Sequence, residues 1–149
     1  MSKLPDGMTK EQGDWSTTYL YKGVRIRKSS RGFSYPKEYI TNETGREYVQ
    51  DSYGSYYLRN IPAEIERDLA SGIYTLDSNG VLRLTEERKA ELRANQIERV
   101  TAEIEAVRNR ITESLASEDY KKVQTHAETI QHLIKRLETY QANLQKADA

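Results

Sequence analysis

The sequence predicts an α+β protein: a small antiparallel β-sheet domain with one short helix, followed by a long, coiled-coil-like C-terminal antiparallel helical hairpin. Two observations carry this prediction. Runs of β-favouring residues separated by glycine-containing turns occupy residues 17–84. Beyond them, apolar residues recur at alternating intervals of three and four between residues 97 and 144, the spacing of helices that wind against a partner. We therefore expect a flexible N-terminal arm at residues 1–14, a head domain at residues 15–84 and a helical hairpin at residues 85–145.

The strands of the head are predicted from their turns. Residues 17–21 and 24–27 flank Lys22-Gly23, which is typical of a two-residue β-hairpin. Within residues 24–27 two apolar residues alternate with two arginines, so one face of this strand should be buried and the other basic. Trp15, the single tryptophan, is expected to hold the N-terminal arm. Further short strands are expected at residues 39–41, 47–49, 56–58, 73–76 and 81–84, with turns at residues 42–45, 51–54 and 77–80.

One short helix is predicted inside the head. Pro62 suits its first turn and Gly72 its end. Ile61, Ile65 and Leu69 fall on one face, which should pack on the sheet.

The hairpin is predicted from two apolar seams, with Thr85 as the cap of the first helix and Ser117 as the cap of the second. The seam of the first helix is Ile97, Val100, Ile104, Val107 and Ile111, with Gln96 among its polar flanks. The seam of the second helix is Val123, Ala127, Ile130, Ile134, Leu137, Gln141 and Leu144, and a third row, His126, Leu133 and Tyr140, runs beside it.

This third row predicts self-association. Three apolar rows form a wider face than one neighbouring helix can cover. We therefore expect a homodimer with a four-helix core; the alternative is that the third row covers the sheet of the same chain. The expected oligomerisation residues are Ile97, Val100, Ile104, Val107, Ile111, Val123, Ile130, Leu133, Ile134, Leu137, Tyr140 and Leu144.

Composition excludes several classes of protein. The 149 residues carry 23 basic and 23 acidic side chains, so no overall charge draws the chain to nucleic acid or membrane. The absence of cysteine excludes disulfides, thiolate zinc sites, iron–sulfur clusters and thiol catalysis. No apolar run reaches about 18 residues and the N-terminus lacks the apolar core of a signal peptide, so we expect a cytoplasmic protein.

The sequence contains no recognisable catalytic motif. The patterns GxxxxGK[ST], GxGxxG, GxSxG and HExxH are all absent. The two histidines, His126 and His132, are separated by a rotation of about 240° around the axis of a helix and cannot share a metal. We expect a protein that is not an enzyme and that holds no metal or cofactor.

Basic and aromatic residues are concentrated near the N-terminus. Residues 22–37 contain six basic side chains and no acid. Tyrosine and arginine are enriched at protein-binding hot spots, and arginines beside aromatic rings also hold nucleic acid or a nucleotide. A structural alternative is that the tyrosines form the core and the arginines protect an exposed strand edge. The candidate binding residues are Tyr19, Tyr21, Lys22, Arg25, Arg27, Lys28, Arg31, Tyr35 and Lys37.

These observations favour a small non-enzymatic interaction protein. We expect it to form a homodimer through its hairpin and to bind a larger protein target through its head. One alternative is a nucleic-acid-binding protein that uses the basic aromatic strands at residues 19–39. Another is a site at the dimer interface that sequesters or converts a small anionic ligand. A chain of this size without catalytic motifs would suit an accessory or inhibitor protein of a phage or mobile element, although no residue indicates that source.

Overall fold

The predicted α+β fold is confirmed. The computed structural model of the protein describes residues 4–13 and 17–148; Trp15, expected to hold the arm, lies outside them. The chain divides into a head unit, residues 1–39 with 47–88, and a hairpin unit, residues 40–46 with 89–149. The elements are β1 (Met8–Gln12), β2 (Thr17–Tyr21), β3 (Val24–Ser29), β4 (Gly32–Ile40), β5 (Glu47–Ser55), a 3-10 helix (Leu58–Asn60), α1 (Ile61–Ala70), β6 (Tyr74–Leu76), β7 (Leu82–Leu84), α2 (Glu86–Ala116) and α3 (Tyr120–Asp148).

The sheet is curled and mostly antiparallel. Its strand order is β1-β2-β3-β4-β7-β6, with β5 also paired to β4, and the β4–β7 pair is parallel. The predicted turn at Lys22-Gly23 is present: both residues have positive φ angles, 49° and 85°, as a tight hairpin turn requires. The predicted hairpin near residues 73–84 is also present, because β6 pairs with β7.

Three predictions about the head are wrong in detail. Residues 8–12, expected in a flexible arm, form β1 and pair with β2. The turn expected at residues 51–54 lies inside β5, where Gly54 serves packing: a Cβ there would lie 2.7 Å from Ile61 Cδ1 and 3.0 Å from Tyr35 Cε1. The strand expected at residues 56–58 is instead the approach to the 3-10 helix.

The core of the head unit lies between the sheet and α1. The predicted alternation in β3 is confirmed, since Val24 and Ile26 are fully buried while Arg25 and Arg27 are exposed. The predicted helix also forms, and its apolar face packs on the sheet. The buried cluster comprises Met8, Tyr19, Val24, Ile26, Phe33, Tyr35, Ile61, Ile65 and Leu82.

In the hairpin unit, α2 and α3 pack together as predicted, but two details differ. Asp119, not Ser117, caps α3, with its carboxylate accepting the backbone N–H of Lys122 at 3.3 Å. The exposed row of α3 is Ala127, Ile134 and Gln141, whereas Leu133 and Tyr140 of the third row are buried. Both rows fit a three–four spacing from Val123. Leu133 and Ile134 offer similar apolar surface, so the main difference is that turning Tyr140 inward removes more apolar surface from water than turning Gln141 inward would. The buried cluster is Val100, Ile104, Val107, Leu133 and Tyr140.

The third row also meets the loop Ile40–Arg46, which belongs to the hairpin unit. Tyr140 donates a hydrogen bond to the carbonyl oxygen of Asn42, and Asn143 donates to that of Thr44. Gln96, placed among the polar flanks by its sequence context, is buried and donates from Nε2 to the carbonyl oxygen of Thr41 at 2.9 Å. Part of the surplus face of α3 is thus covered by this loop.

No helix within the described residues combines the length and apolar character needed to cross a membrane.

The Tyr140 hydroxyl should contribute measurably to stability. Tyr140→Phe removes a buried hydrogen bond and leaves the Asn42 carbonyl oxygen without this donor. We expect the free energy of unfolding to fall by about 1–2 kcal/mol in urea denaturation. Tyr120→Phe is the matched control, because Tyr120 is 66% exposed, and it should change stability by less than about 0.5 kcal/mol. Equal stability of the two variants would contradict the predicted role.

Candidate functional site

The two faces of the sheet separate the predicted binding residues. Residues directly opposite each other on paired strands share a face. Tyr19 lies opposite Ile26, and Lys28 lies opposite Phe33, so these four side chains share the buried face. Arg25 and Arg27 lie on the other face, opposite Leu20 and Thr18. The predicted basic strand therefore does not present one continuous surface.

The predicted tyrosines serve mainly to hold α1 on the sheet. Tyr35 is 1% exposed, and its hydroxyl donates to Asp68 Oδ2 at 2.5 Å. Tyr19 is buried, and the half-buried Tyr21 donates to Glu66 Oε1 at 2.9 Å. Tyr19 and Tyr35 therefore belong to the core, which is the alternative role expected for the tyrosines.

Three of the predicted cations are paired with carboxylates. Lys22 pairs with Glu66, whose hydrogen bond raises the pKa of the lysine. Lys37 lies 2.8 Å from Asp68, with most of both side chains buried. Arg27 lies 3.3 Å from Asp51 in an exposed pair, which contributes little to stability. Arg25, Lys28 and Arg31 form no ion pair with any residue that the structure describes.

A concave site lies on the sheet face that carries Tyr19, Lys28 and Phe33. It has a volume of ≈ 430 Å³. Only Tyr19 and Lys28 of the predicted set contribute to it. We call it the basic aromatic pocket; it is lined by Leu4, Lys10, Tyr19, Lys28, Phe33, Tyr56, Tyr57, Leu58 and Arg59.

The pocket combines aromatic rings with cations. Tyr19 and Phe33 meet edge to face with centroids 5.8 Å apart, and Tyr56 and Tyr57 do the same at 5.1 Å. The Arg59 guanidinium lies 4.6 Å from the centre of the Tyr57 ring. No carboxylate is among the described residues that line the pocket. Lys10, Lys28 and Arg59 form no ion pair within residues 4–13 and 17–148. The arrangement suits an anion that carries a planar or apolar group.

Lys10, Tyr56, Tyr57 and Arg59 were not predicted as binding residues because the sequence pattern did not indicate the elements that carry them. Lys10 faces Tyr19 across the β1–β2 pair, but β1 was not expected as a strand. The Tyr56-Tyr57 pair and Arg59 follow β5, where a strand was expected in place of a bend and a 3-10 helix. Their high exposure, 62% for Tyr56 and 52% for Tyr57, depends on that backbone path.

A segment of exposed, largely aromatic side chains, which begins on both faces of β5, leads along the chain into the pocket lining. We call it the tyrosine strip; it consists of Tyr48, Val49, Tyr53, Tyr56 and Tyr57. Tyr53 is 63% exposed, and Tyr48 stacks on Tyr39 with ring centroids 5.5 Å apart. Among the described strands β5 pairs with β4 alone, so the strip begins on a strand at the edge of the sheet.

Glu38, the most buried carboxylate among the described residues, accepts the backbone N–H of Leu84 at 3.0 Å and lies 3.2 Å from Arg83. These contacts are structural, since they tie β4 to β7. Residues 4–13 and 17–148 contain no group of three histidine, aspartate or glutamate side chains placed to hold a metal ion.

The buried phenol of Tyr35 predicts sensitivity to alkali. Burial, together with Asp68, raises the pKa of Tyr35 above its usual value of about 10. In the unfolded chain the phenol ionises near pH 10 whereas the folded protein keeps it neutral, so stability is present below about pH 10 and is lost as the pH rises further. The free energy of unfolding should fall above this pH by up to about 1.4 kcal/mol per pH unit for each such group.

Tyr35→Phe should flatten this decline in urea denaturation between about pH 9 and pH 11. Tyr53→Phe, which removes an exposed hydroxyl, should keep the wild-type slope. A wild-type slope in Tyr35→Phe would show that this phenol is not the group responsible.

Comparisons with known proteins give no information about the function. The chain matches no protein-family model, no curated protein and no solved structure. The basic aromatic pocket and the tyrosine strip are the candidate binding features among the described residues.

Proposed function

We propose that the protein is a non-enzymatic interaction protein whose head unit binds a protein partner through the tyrosine strip. The observation that carries this proposal is the exposure of five large apolar side chains within residues 48–57, from 40% for Tyr48 to 63% for Tyr53. They are half of the exposed large hydrophobic residues in the described chain. Exposed apolar surface concentrated in this way marks interaction sites on soluble proteins.

The composition of this segment supports the same conclusion. Residues 51–60 read DSYGSYYLRN and combine tyrosine with serine, glycine, asparagine and arginine. Tyrosine supplies a large contact area at a low cost in side-chain entropy, while serine, glycine and asparagine adapt the backbone and its hydrogen bonds. Tyrosine and arginine are also the residues that most often dominate binding energy at protein interfaces.

Charge favours a protein over an extended nucleic acid. The residues of the head unit carry 12 basic and 12 acidic side chains. Affinity for a nucleic-acid duplex or strand comes mainly from many phosphate contacts. Lys22, Arg27 and Lys37 of the predicted basic strands already have carboxylate partners. The tyrosine strip, in contrast, needs no net charge to bind.

Partner capture from the native host should depend on the strip. Tagged wild-type protein is compared with the triple variant Tyr53→Ser, Tyr56→Ser, Tyr57→Ser. We expect the triple variant to lose the partner protein because apolar anchor residues dominate such interfaces. Tyr120→Ser provides the matched control, since Tyr120 is an equally exposed tyrosine in the hairpin unit.

Two outcomes would contradict the proposal. Unchanged capture by the triple variant would exclude the strip as the binding surface. Loss of all capture after nuclease treatment would favour nucleic acid bound to the basic strands at residues 19–39. The same conclusion would follow if the double variant Arg25→Glu, Arg27→Glu lost the partner while the triple variant kept it.

The homodimer expected from the hairpin stays a proposal, and its interface would use fewer residues than the sequence predicts. Leu133 and Tyr140 are buried within the chain, so an interface would use the half-buried Ile130 and Leu137 beside Ile134, which is 38% exposed. Light scattering at about micromolar concentration should give twice the 17.2 kDa of one chain. Ile134→Glu should return the mass to that of a monomer, and Leu115→Glu, at an exposed position near the end of α2, should not. A monomer mass for the wild type would remove this proposal.

A further inference from the structure

We propose that the basic aromatic pocket binds a nucleoside phosphate, with the base against the aromatic rings and the phosphate among Lys10, Lys28 and Arg59. This proposal goes beyond protein binding by the tyrosine strip and is argued from the cavity and its charges. The shared chemistry is that of one nucleotide, either free or as a unit of a single strand.

Three separate elements bring three cations to one cavity, which favours an anionic ligand. Lys10 lies on β1, Lys28 on β3 and Arg59 in the 3-10 helix. No carboxylate among the described residues lines the cavity, and no described residue forms an ion pair with any of the three. Elsewhere in the head unit, Lys22, Arg27, Lys37 and Arg83 all have carboxylate partners. Arg25 and Arg31 also lack such a partner among the described residues, but they do not line the pocket. Within the part of the chain that the structure describes, the pocket thus brings together three cations without a carboxylate, and an oxyanion would satisfy them through charge-assisted hydrogen bonds.

Four aromatic rings line the same cavity, which favours a ligand with a planar group. Tyr19 and Phe33, each 9% exposed, are fixed in the core. Tyr56 and Tyr57, which also line the pocket, are more than half exposed. Aromatic side chains of this kind stack nucleobases without regard to sequence. The volume of ≈ 430 Å³ falls within the range of about 300–1,000 Å³ that holds small organic ligands.

Other occupants would leave part of the lining unused. Inorganic phosphate would meet the three cations but not the rings. An uncharged apolar molecule would meet the rings and remove the cations from water without compensation. A long single strand would need further cations along its path, but Lys22 and Arg27 are paired, and Arg25 lies on the opposite face of the sheet from Lys28. One nucleotide would contact both the cations and the aromatic rings of the pocket.

The test is a calorimetric titration of the full-length protein with AMP, adenosine and inorganic phosphate. AMP should bind at least about tenfold more tightly than either fragment, because only AMP engages both cations and rings. Lys28→Ala and Arg59→Ala should each weaken AMP binding by about tenfold. Arg25→Ala is the matched control, because Arg25 lies on the opposite face of β3 from Lys28, and it should bind AMP as the wild type does.

A ten-nucleotide deoxyadenosine strand distinguishes the two sources of the nucleotide. If the strand binds no more tightly than AMP, the natural ligand is a free nucleotide. If the strand binds more tightly and Lys28→Ala weakens that binding, the natural ligand is a single strand. Either result supports the pocket as the nucleotide site. Absence of AMP binding, together with absence of GMP, CMP and UMP binding at about millimolar concentration, overturns the proposal. Equal losses in Arg25→Ala and Lys28→Ala also overturn it.

A further variant separates this proposal from the proposed function. Tyr53 belongs to the tyrosine strip but does not line the pocket. Tyr53→Ser should weaken partner capture and leave AMP affinity unchanged. Loss of AMP affinity in Tyr53→Ser, with folding intact by circular dichroism, would show that the nucleotide does not sit in the pocket as proposed.

Discussion

Helix α1 is held on the sheet by two of its carboxylates, and the geometry of the head unit depends on this attachment. Glu66 accepts the Tyr21 hydroxyl and pairs with Lys22, while Asp68 does the same for Tyr35 and Lys37. The 3-10 helix runs directly into α1, so the position of α1 fixes where Arg59 and the preceding tyrosines lie. The pocket is thus a consequence of how one short helix is anchored.

Tyrosine plays two opposite parts in this molecule. With one phenylalanine and one tryptophan in the whole chain, tyrosine supplies much of the aromatic bulk of the core. When buried, it needs a partner for its hydroxyl, and Tyr35 finds Asp68. Tyr48, Tyr53, Tyr56 and Tyr57 lie outside the core instead and are between 40% and 63% exposed. An amphipathic ring tolerates both settings, which is why counting tyrosines does not locate a binding surface.

The hairpin unit shows how a polar end can be built into an apolar seam. Lys89, Arg93 and Gln96 continue the buried row of α2 toward its N-terminal end. Gln96 and Tyr140 hydrogen-bond to backbone carbonyls of the loop Ile40–Arg46, and Gly45 in that loop has a φ of +73°. A Cβ at Gly45 would lie 3.3 Å from both Gln96 and Tyr140, so glycine serves the turn and the close packing at once.

Local patterns in the sequence were sufficient for the alternation in β3, the turn at Lys22-Gly23, α1 and the two long helices, because each depends on residues only a few positions apart. The tertiary structure alone decided which tyrosines are buried and which cations are paired. Tyr21 and Glu66 are 45 residues apart in the sequence, and nothing local to either indicates the contact. The same holds for the row of α3 that turns inward, which depends on α2 and on a loop about 100 residues away. Predicting the pocket requires both the sequence and the tertiary structure. The sequence contains its basic and aromatic residues, but β1, β3 and the 3-10 helix come together only in the folded head unit.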